Sequence, residues 1–200
     1  YDETIQSLLA LRSRIGEARR LELTSRIETK GRSADHADGY GRRGALLEFG
    51  VHLLDLVRVL SGEEVHTAQC VLDRLPPEHP ETSAKIHLRT ISGIHCSIEV
   101  ARVDDGRVGR AEWIGSGGRL LADWTNRHIQ YTDSASRSED WLTAPSQTVL
   151  TTLREFLRAL QQQAPMPITG EDGCRAVEIA EACYRSAKAG GAIITLPLQA

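Results

Sequence analysis

Two hundred residues, 40% of them apolar, suffice for one sizeable core or two small ones. A formal net charge of −3 argues against a general nucleic-acid binder, which needs a basic surplus. Wholly apolar runs last only a few residues, too short to span a bilayer, and no signal peptide opens the chain, so neither nucleic acid nor membrane is expected as a partner.

Asp2 is placed to cap a first helix, with Ile5, Leu8, Leu9 and Ile15 at helical spacing and Gly16 as its stop. Residues 18–28, with Leu21, Leu23 and Ile27, suit a strand, and residues 29–43 form a polar loop long enough to suggest a functional role. The run from Gly44 to Ser61-Gly62 reads as a helix that is apolar nearly all round. From Val65 the texture changes to short strands over 65–74, 82–90, 94–103, 107–115, 118–124 and 128–132. A three-residue turn at Ile91-Ser92-Gly93 sets Thr90 opposite Ile94. That register gathers Ala84, Ile86, Leu88, Cys96, Ile98 and Val100 on one face and leaves Lys85, His87, Arg89, His95, Ser97 and Glu99 on the other. A two-residue turn would mix the two sets. Gly115-Ser116-Gly117-Gly118 marks a second hairpin joint.

Two helices close the chain. Ser146 is expected to cap the first, which carries Val149, Leu150, Leu153, Phe156, Leu157 and Leu160 on one stripe. Thr169 and Asp172 form a capping box for the second, striped by Ala176, Val177, Ala180, Cys183, Tyr184 and Ala187 and ending near Gly190. A last strand runs from Ala192 to Leu196. Helices and consecutive antiparallel strands are segregated, so the fold class is α+β: an open, mostly antiparallel sheet with helices on one face, in a single domain over 1–200. Cys70, Cys96, Cys174 and Cys183 show no CxxC pairing and no zinc-finger spacing. They read as reduced core residues of an intracellular, cytoplasmic protein.

Gly39-Tyr40-Gly41-Arg42-Arg43-Gly44 matches GxGxxG literally. A dinucleotide fingerprint, however, needs a strand feeding its first glycine within a βαβ unit, and neither is present here. Arg42 and Arg43 then either bind an anionic substrate group or are simply solvated. Within the greasy helix, Glu48, His52 and Asp55 fall inside about 60° of arc at ~100° per residue. Three readings stay open: an incidental polar stripe or ion pair, a metal site with a further ligand from His36, Asp38 or His66, and a proton-handling group in which a carboxylate fixes the imidazole beside a substrate hydroxyl. His87 and His95 fall on the polar sheet face and read as surface or interface residues.

The run Gly44-Ala45-Leu46-Leu47-Glu48-Phe49-Gly50-Val51-His52-Leu53-Leu54-Asp55, followed by Leu60-Ser61-Gly62, resembles the helix motif of the Gfo/Idh/MocA oxidoreductases, named after glucose–fructose oxidoreductase and inositol dehydrogenase. The tail Glu171-Asp172-Gly173, Ala176, Ile179, Ala180, Ala182, Tyr184, Ser186-Ala187, Gly190 and Leu196-Pro197 resembles that family's closing helix and strand, and Ile15-Gly16-Glu17 fits its opening. The resemblance implies an enzyme of two domains. The N-terminal one is a Rossmann domain that binds NAD or NADP and ends in a Glu-Lys-Pro segment. The C-terminal one, similar to the C-terminal domains of dihydrodipicolinate reductase and glyceraldehyde-3-phosphate dehydrogenase, supplies substrate wall and oligomer interface. This chain matches only the second, has no Glu-Lys-Pro, and opens without a Rossmann unit.

By position, the resemblance makes His52 the catalytic histidine and Glu48 the acid one turn before it, usually Asp. Asp55 is expected as support, grouped with a substrate-binding set of Lys30, Arg32, Tyr40, Arg42 and Arg43, with His36 also on that loop. The implied whole protein is an NAD(P)-dependent oxidoreductase of a sugar, cyclitol or related polyol. It is expected to assemble as a homodimer or homotetramer through the sheet. The 200-residue chain alone is expected to bind no cofactor, to hold no metal and to be silent. The alternatives are a standalone binding or assembly module of the same fold and, more remotely, a metal-dependent hydrolase or isomerase.

Overall fold

The computed structural model describes residues 1–28, 43–73 and 80–199. Lys30, Arg32, His36, Asp38, Tyr40 and Arg42 lie outside them. Helix α1 spans Glu3–Leu11, and Asp2 Oδ1 accepts from the Thr4 and Ile5 amides at 2.9 and 3.3 Å. A 3₁₀ turn, Arg12–Ile15, passes through Gly16 into β1, Ala18–Glu28. After a π-helical turn at Leu46–Gly50, α2 runs Val51–Ser61. Six strands follow: β2 Val65–Leu72, β3 Ser83–Thr90, β4 His95–Val103, β5 Val108–Gly115, β6 Gly118–Asp123 and β7 His128–Asp133. Then come β8 Ser138–Leu142, α3 Thr148–Gln162, α4 Gly170–Lys188 and a two-residue β9, Ile194–Thr195.

The nine strands form one sheet in the order β8-β7-β6-β5-β1-β4-β3-β2-β9. Every neighbouring pair is antiparallel except β1 with β4. The first strand is thus inserted between two antiparallel series and carries its end, Glu28, to the same edge as Val103 at the end of β4. The β3–β4 register sets Leu88 opposite Cys96 and Ile86 opposite Ile98, as the three-residue turn requires, and Gly93 takes φ +96°. Ala84, Ile86, Leu88, Cys96, Ile98 and Val100 are all buried. They meet a helical layer in which Leu8, Leu54, Val57, Leu60, Ile179 and Cys183 are also buried. Alternation in the strands and a 3.6-residue period in the helices converge on one core.

Three expectations fail. Ser146 does not cap α3, whose N-terminal residue Gln147 makes no side-chain cap bond. Instead Ser146 Oγ accepts from the Glu3 amide at 2.8 Å and donates to Asp2 Oδ2 at 3.1 Å, fastening this segment to the start of α1. The α3 stripe does not join the helical layer either: among the described residues only Ala159 of that helix is buried. Thr169 and Asp172 do form their reciprocal capping box on α4. Strand β8 has no signature in the sequence, because only Trp141 of its five residues is even half-buried; it is recruited by backbone pairing with β7. Cys70, Cys96 and Cys183 are buried, whereas Cys174 is exposed.

Candidate active-site groove

The entrance to α2 is built around a carboxylate remote in sequence. Glu81 is wholly buried. Its backbone oxygen accepts from the Ala45 amide at 2.9 Å, and its Oε1 accepts from the Leu46 amide at 3.1 Å and the Tyr184 hydroxyl at 2.8 Å. A negative charge at a helix start is favoured by the unpaired amides and the dipole there. Burial, followed by the neighbouring carboxylate, pushes the Tyr184 hydroxyl well above its usual range, so it stays a donor. A side chain at position 44 would occupy the space of the Glu81 carboxyl group, so only glycine fits. Glu81 Oε2 has no hydrogen-bond partner. The last glycine of the GxGxxG run therefore backs onto a buried carboxyl group, a poor neighbour for a phosphate; the residues of the run before Arg43 lie outside the described residues.

The helical rod opens with a π turn. The Val51 amide bonds the carbonyl of Leu46, five residues back, so each residue in this turn advances less than the ~100° of an α-helix. Glu48 forms an ion pair with Arg102, whose Nη2 also donates to the Arg43 carbonyl at 2.7 Å. Arg43 itself is exposed. The expected coupling of Glu48 to His52 is not made. Asp55 accepts from Arg58 Nη1 at 3.3 Å; Arg58 also pairs Glu64 at 2.7 Å and, from α4, Asp172 at 3.4 Å. Burial holds the Asp55 carboxyl above its ordinary range, outweighing the Arg58 charge.

His52 is exposed, with no hydrogen bond or ion pair among the described residues. It opens onto a groove of about 590 Å³. Asp55 lines this groove too, with Phe49 and Leu56 from the same helical rod, Ile27 from β1, and Trp124 and Arg107 from the β5–β6 region. Tyr1, Asp2, Pro167 and Ile168 complete the rim. The arrangement is an imidazole over apolar walls with a carboxylate and a guanidinium at the edges, suited to a small hydroxylated ligand and to moving one proton. Of the sequence-derived residues, His52 and Asp55 reach the groove and Glu48 goes to Arg102.

Arg102, Arg107, Trp124 and Glu81 escaped the sequence reading. The one available signal was the loss of strict alternation at the end of β4, where Arg102 lies. A larger groove, about 640 Å³, lies at the other end of α2, lined by Arg12, Glu63 and Trp113. His87 and His95 stand on the polar sheet face as their register requires, ring centroids 5.9 Å apart. Among the described residues, no three His, Cys, Asp or Glu side chains gather into a metal-holding group, and no helix is long and apolar enough to cross a membrane.

A nine-stranded open sheet is thus backed on one face by α1, α2 and α4 and carries an exposed histidine at the mouth of a groove. The chain belongs to the Gfo/Idh/MocA family: residues 4–121 match the GFO/IDH/MocA C-terminal domain. Its fold is similar to that of UDP-N-acetylglucosamine 3-dehydrogenase from Acidithiobacillus ferrooxidans, at 20% identity and a TM-score of 0.79 over 94% of this chain and 59% of that one. It is also similar to an oxidoreductase from Agrobacterium radiobacter in complex with NAD+, L-tartaric acid and magnesium (20%, TM-score 0.80, 97% and 62%). Levoglucosan dehydrogenase, in complex with NADH and levoglucosan, is a third (18%, TM-score 0.78, 98% and 63%). The chain thus spans about three-fifths of the length of these structures. No curated protein matches it by sequence.

Proposed function

We propose that this chain is the substrate-binding domain of an NAD(P)-dependent oxidoreductase that oxidises a secondary hydroxyl of a sugar, cyclitol or related polyol. The observation that carries the reading is His52: an exposed imidazole, unpaired among the described residues, on the family's motif helix and facing an apolar-walled groove of about 590 Å³. His52 accepts the hydroxyl proton as the carbon–oxygen double bond forms. A nicotinamide, held by a part of the protein outside these 200 residues, would supply the hydride acceptor. Asp55 and Arg107 on the groove wall hold neighbouring hydroxyls, with Lys30, Arg32, Tyr40 and Arg42 assigned to the substrate side by the family resemblance alone. Glu48 acts at one remove, by fixing Arg102 and, through it, the Arg43 carbonyl just before the helix.

Support comes from three relatives at 18–20% identity: one is a dehydrogenase of a nucleotide sugar, one holds NAD+ with a hydroxy acid, and one holds NADH with an anhydrosugar. Assembly through the open sheet face fits the alternating charges of Lys85, Arg89, Arg26 and Glu99, the last two paired at 2.8 Å. The test is a nicotinamide-reduction assay over a polyol panel with the protein read from the full upstream frame. His52→Asn is expected to lower kcat about 100-fold or more while leaving the melting temperature unchanged, because His52 is exposed. A fully active His52→Asn protein, or tight NADH binding by the 200-residue chain alone, overturns the reading. On the same protein, sedimentation velocity showing only monomer at high concentration removes the assembly role.

A further inference from the structure

The larger cavity, about 640 Å³, shares no lining residue with the His52 groove. Trp113 lines its inner wall. This indole is 3% exposed, and its buried Nε1–H has no hydrogen-bond partner among the described residues. A buried donor left unpaired is costly, and such groups are rare in folded proteins. Two guanidinium groups stand on the same cavity: Arg12 from the 3₁₀ turn after α1, and Arg19 from the start of β1. Both are exposed, and neither forms an ion pair or a side-chain hydrogen bond among the described residues. A bulge puts Arg19 there. The β1–β5 register shifts between Ala18 and Arg20, which makes Arg19 the extra residue, a device that re-aims a side chain. The carboxylates on the cavity do not meet these donors. Glu63 Oε2 accepts from the Ser92 amide at 3.0 Å, and Glu17 stands exposed at the rim. Three donors without acceptors therefore line one cavity.

We propose that this cavity is a second small-molecule site, for a hydroxylated compound carrying one oxyanion group, carboxylate or phosphate. The oxyanion accepts from the Arg12 and Arg19 guanidinium groups, whose planar fork matches its geometry, and the Trp113 indole supplies the inner donor. Glu17 and Glu63 offset the two positive charges, so the site suits a single anionic group and not a polyanion. Their remaining oxygens accept from the hydroxyls of the compound. The volume falls within the range of small-molecule pockets. The site stands apart from the catalytic reading, because none of its residues touches the His52 groove.

The test is the nitrogen–proton NMR signal of the indole groups, in the protein read from the full upstream frame. Trp113 lines this cavity and Trp124 the His52 groove, so the two signals report the two sites separately. Each is assigned by its loss in Trp113→Phe or Trp124→Phe. Gluconate and inorganic phosphate, added in turn at constant ionic strength, are expected to shift the Trp113 signal saturably, and the tighter of the two names the preferred group. Arg12→Ala and Arg19→Ala are each expected to weaken that binding at least about tenfold and to leave the melting temperature unchanged, since both side chains are exposed. Three results overturn the proposal: a Trp113 signal that neither anion moves, sorbitol moving it as strongly as gluconate, or undiminished binding with both arginines replaced. A shift of Trp124 alone sends the anion to the His52 groove and overturns it too. Binding needs no turnover, so an inactive polyol assay beside a saturable Trp113 shift refutes the catalytic reading and spares this site.

Discussion

At the scale of single residues, the groove rests on pairs that lie far apart in the chain. Glu81 is 35 positions from the Leu46 amide it caps and 103 from the Tyr184 hydroxyl that donates to it. Gly44→Ala puts a methyl group where that carboxyl group sits. Displacing the carboxylate leaves an amide and a hydroxyl without their acceptor, so the expected loss is about 2–4 kcal/mol, overpacking and unpaired donors together. Urea denaturation measures it; a loss below about 0.5 kcal/mol, within the range of neutral surface changes, contradicts the packing described. None of this was legible in the sequence, where Glu81 reads as one more polar residue in a turn. His52 was legible, because its spacing on a greasy helix sets it apart whatever the helix packs on. The setting of Glu48 was not, because its partner Arg102 lies 54 positions away on β4.

Among the elements, those with a strong internal period were readable and those defined by a neighbour were not. The β3–β4 hairpin is the clearest case. Its two faces fix the register, and the register fixes a left-handed glycine at position 93, φ +96°. A side chain there meets open space, so Gly93→Ala costs only the backbone conformation, about 1 kcal/mol, read as a small drop in melting temperature. A loss of several kcal/mol would mean the turn packs against something. Strand β8 shows the opposite limit: polar and largely exposed, with its place in the sheet set by backbone pairing to β7 and by Glu139 bonding Arg14. Helix α3 shows a third. Its amphipathic stripe predicts a helix correctly, but a stripe states only that something must cover it, and the sheet does not.

For the molecule as a whole, charge and burial set the response to acid. Arg58 holds Glu64 below the usual carboxylate range, and the Ser92 backbone amide does the same for Glu63. Burial raises Asp123, but Arg110 and Asn126 outweigh it and the net displacement is downward. A carboxylate lowered in the fold contributes stability that is present above its unfolded value, near 4, and lost as pH falls through the folded one. His95 adds to this trend. Burial, then Arg89, His87 and Arg20, lower it, so the fold favours its neutral form and loses stability as pH drops below about 6.5, the unfolded value. Asp55 runs the other way, since its raised carboxyl is relieved by protonation. Melting temperature is expected to decline from pH 7 to 5 and more steeply below 4, and His95→Gln flattens the first part. A wild-type curve flat from 7 to 5 contradicts the His95 environment.

What the chain's own letters determine here is periodic and local: strand faces, hairpin joints, helix caps at Asp2 and Thr169, the α+β class, and a histidine displayed on an apolar rod. These follow from side-chain spacing, which acts within a few residues. Only the folded molecule decides which charges meet, because Arg102 with Glu48, Tyr184 with Glu81 and Ser146 with Asp2 are separated by 54, 103 and 144 positions. Such pairings depend on how the sheet and the helices stack, and no spacing rule reaches that far.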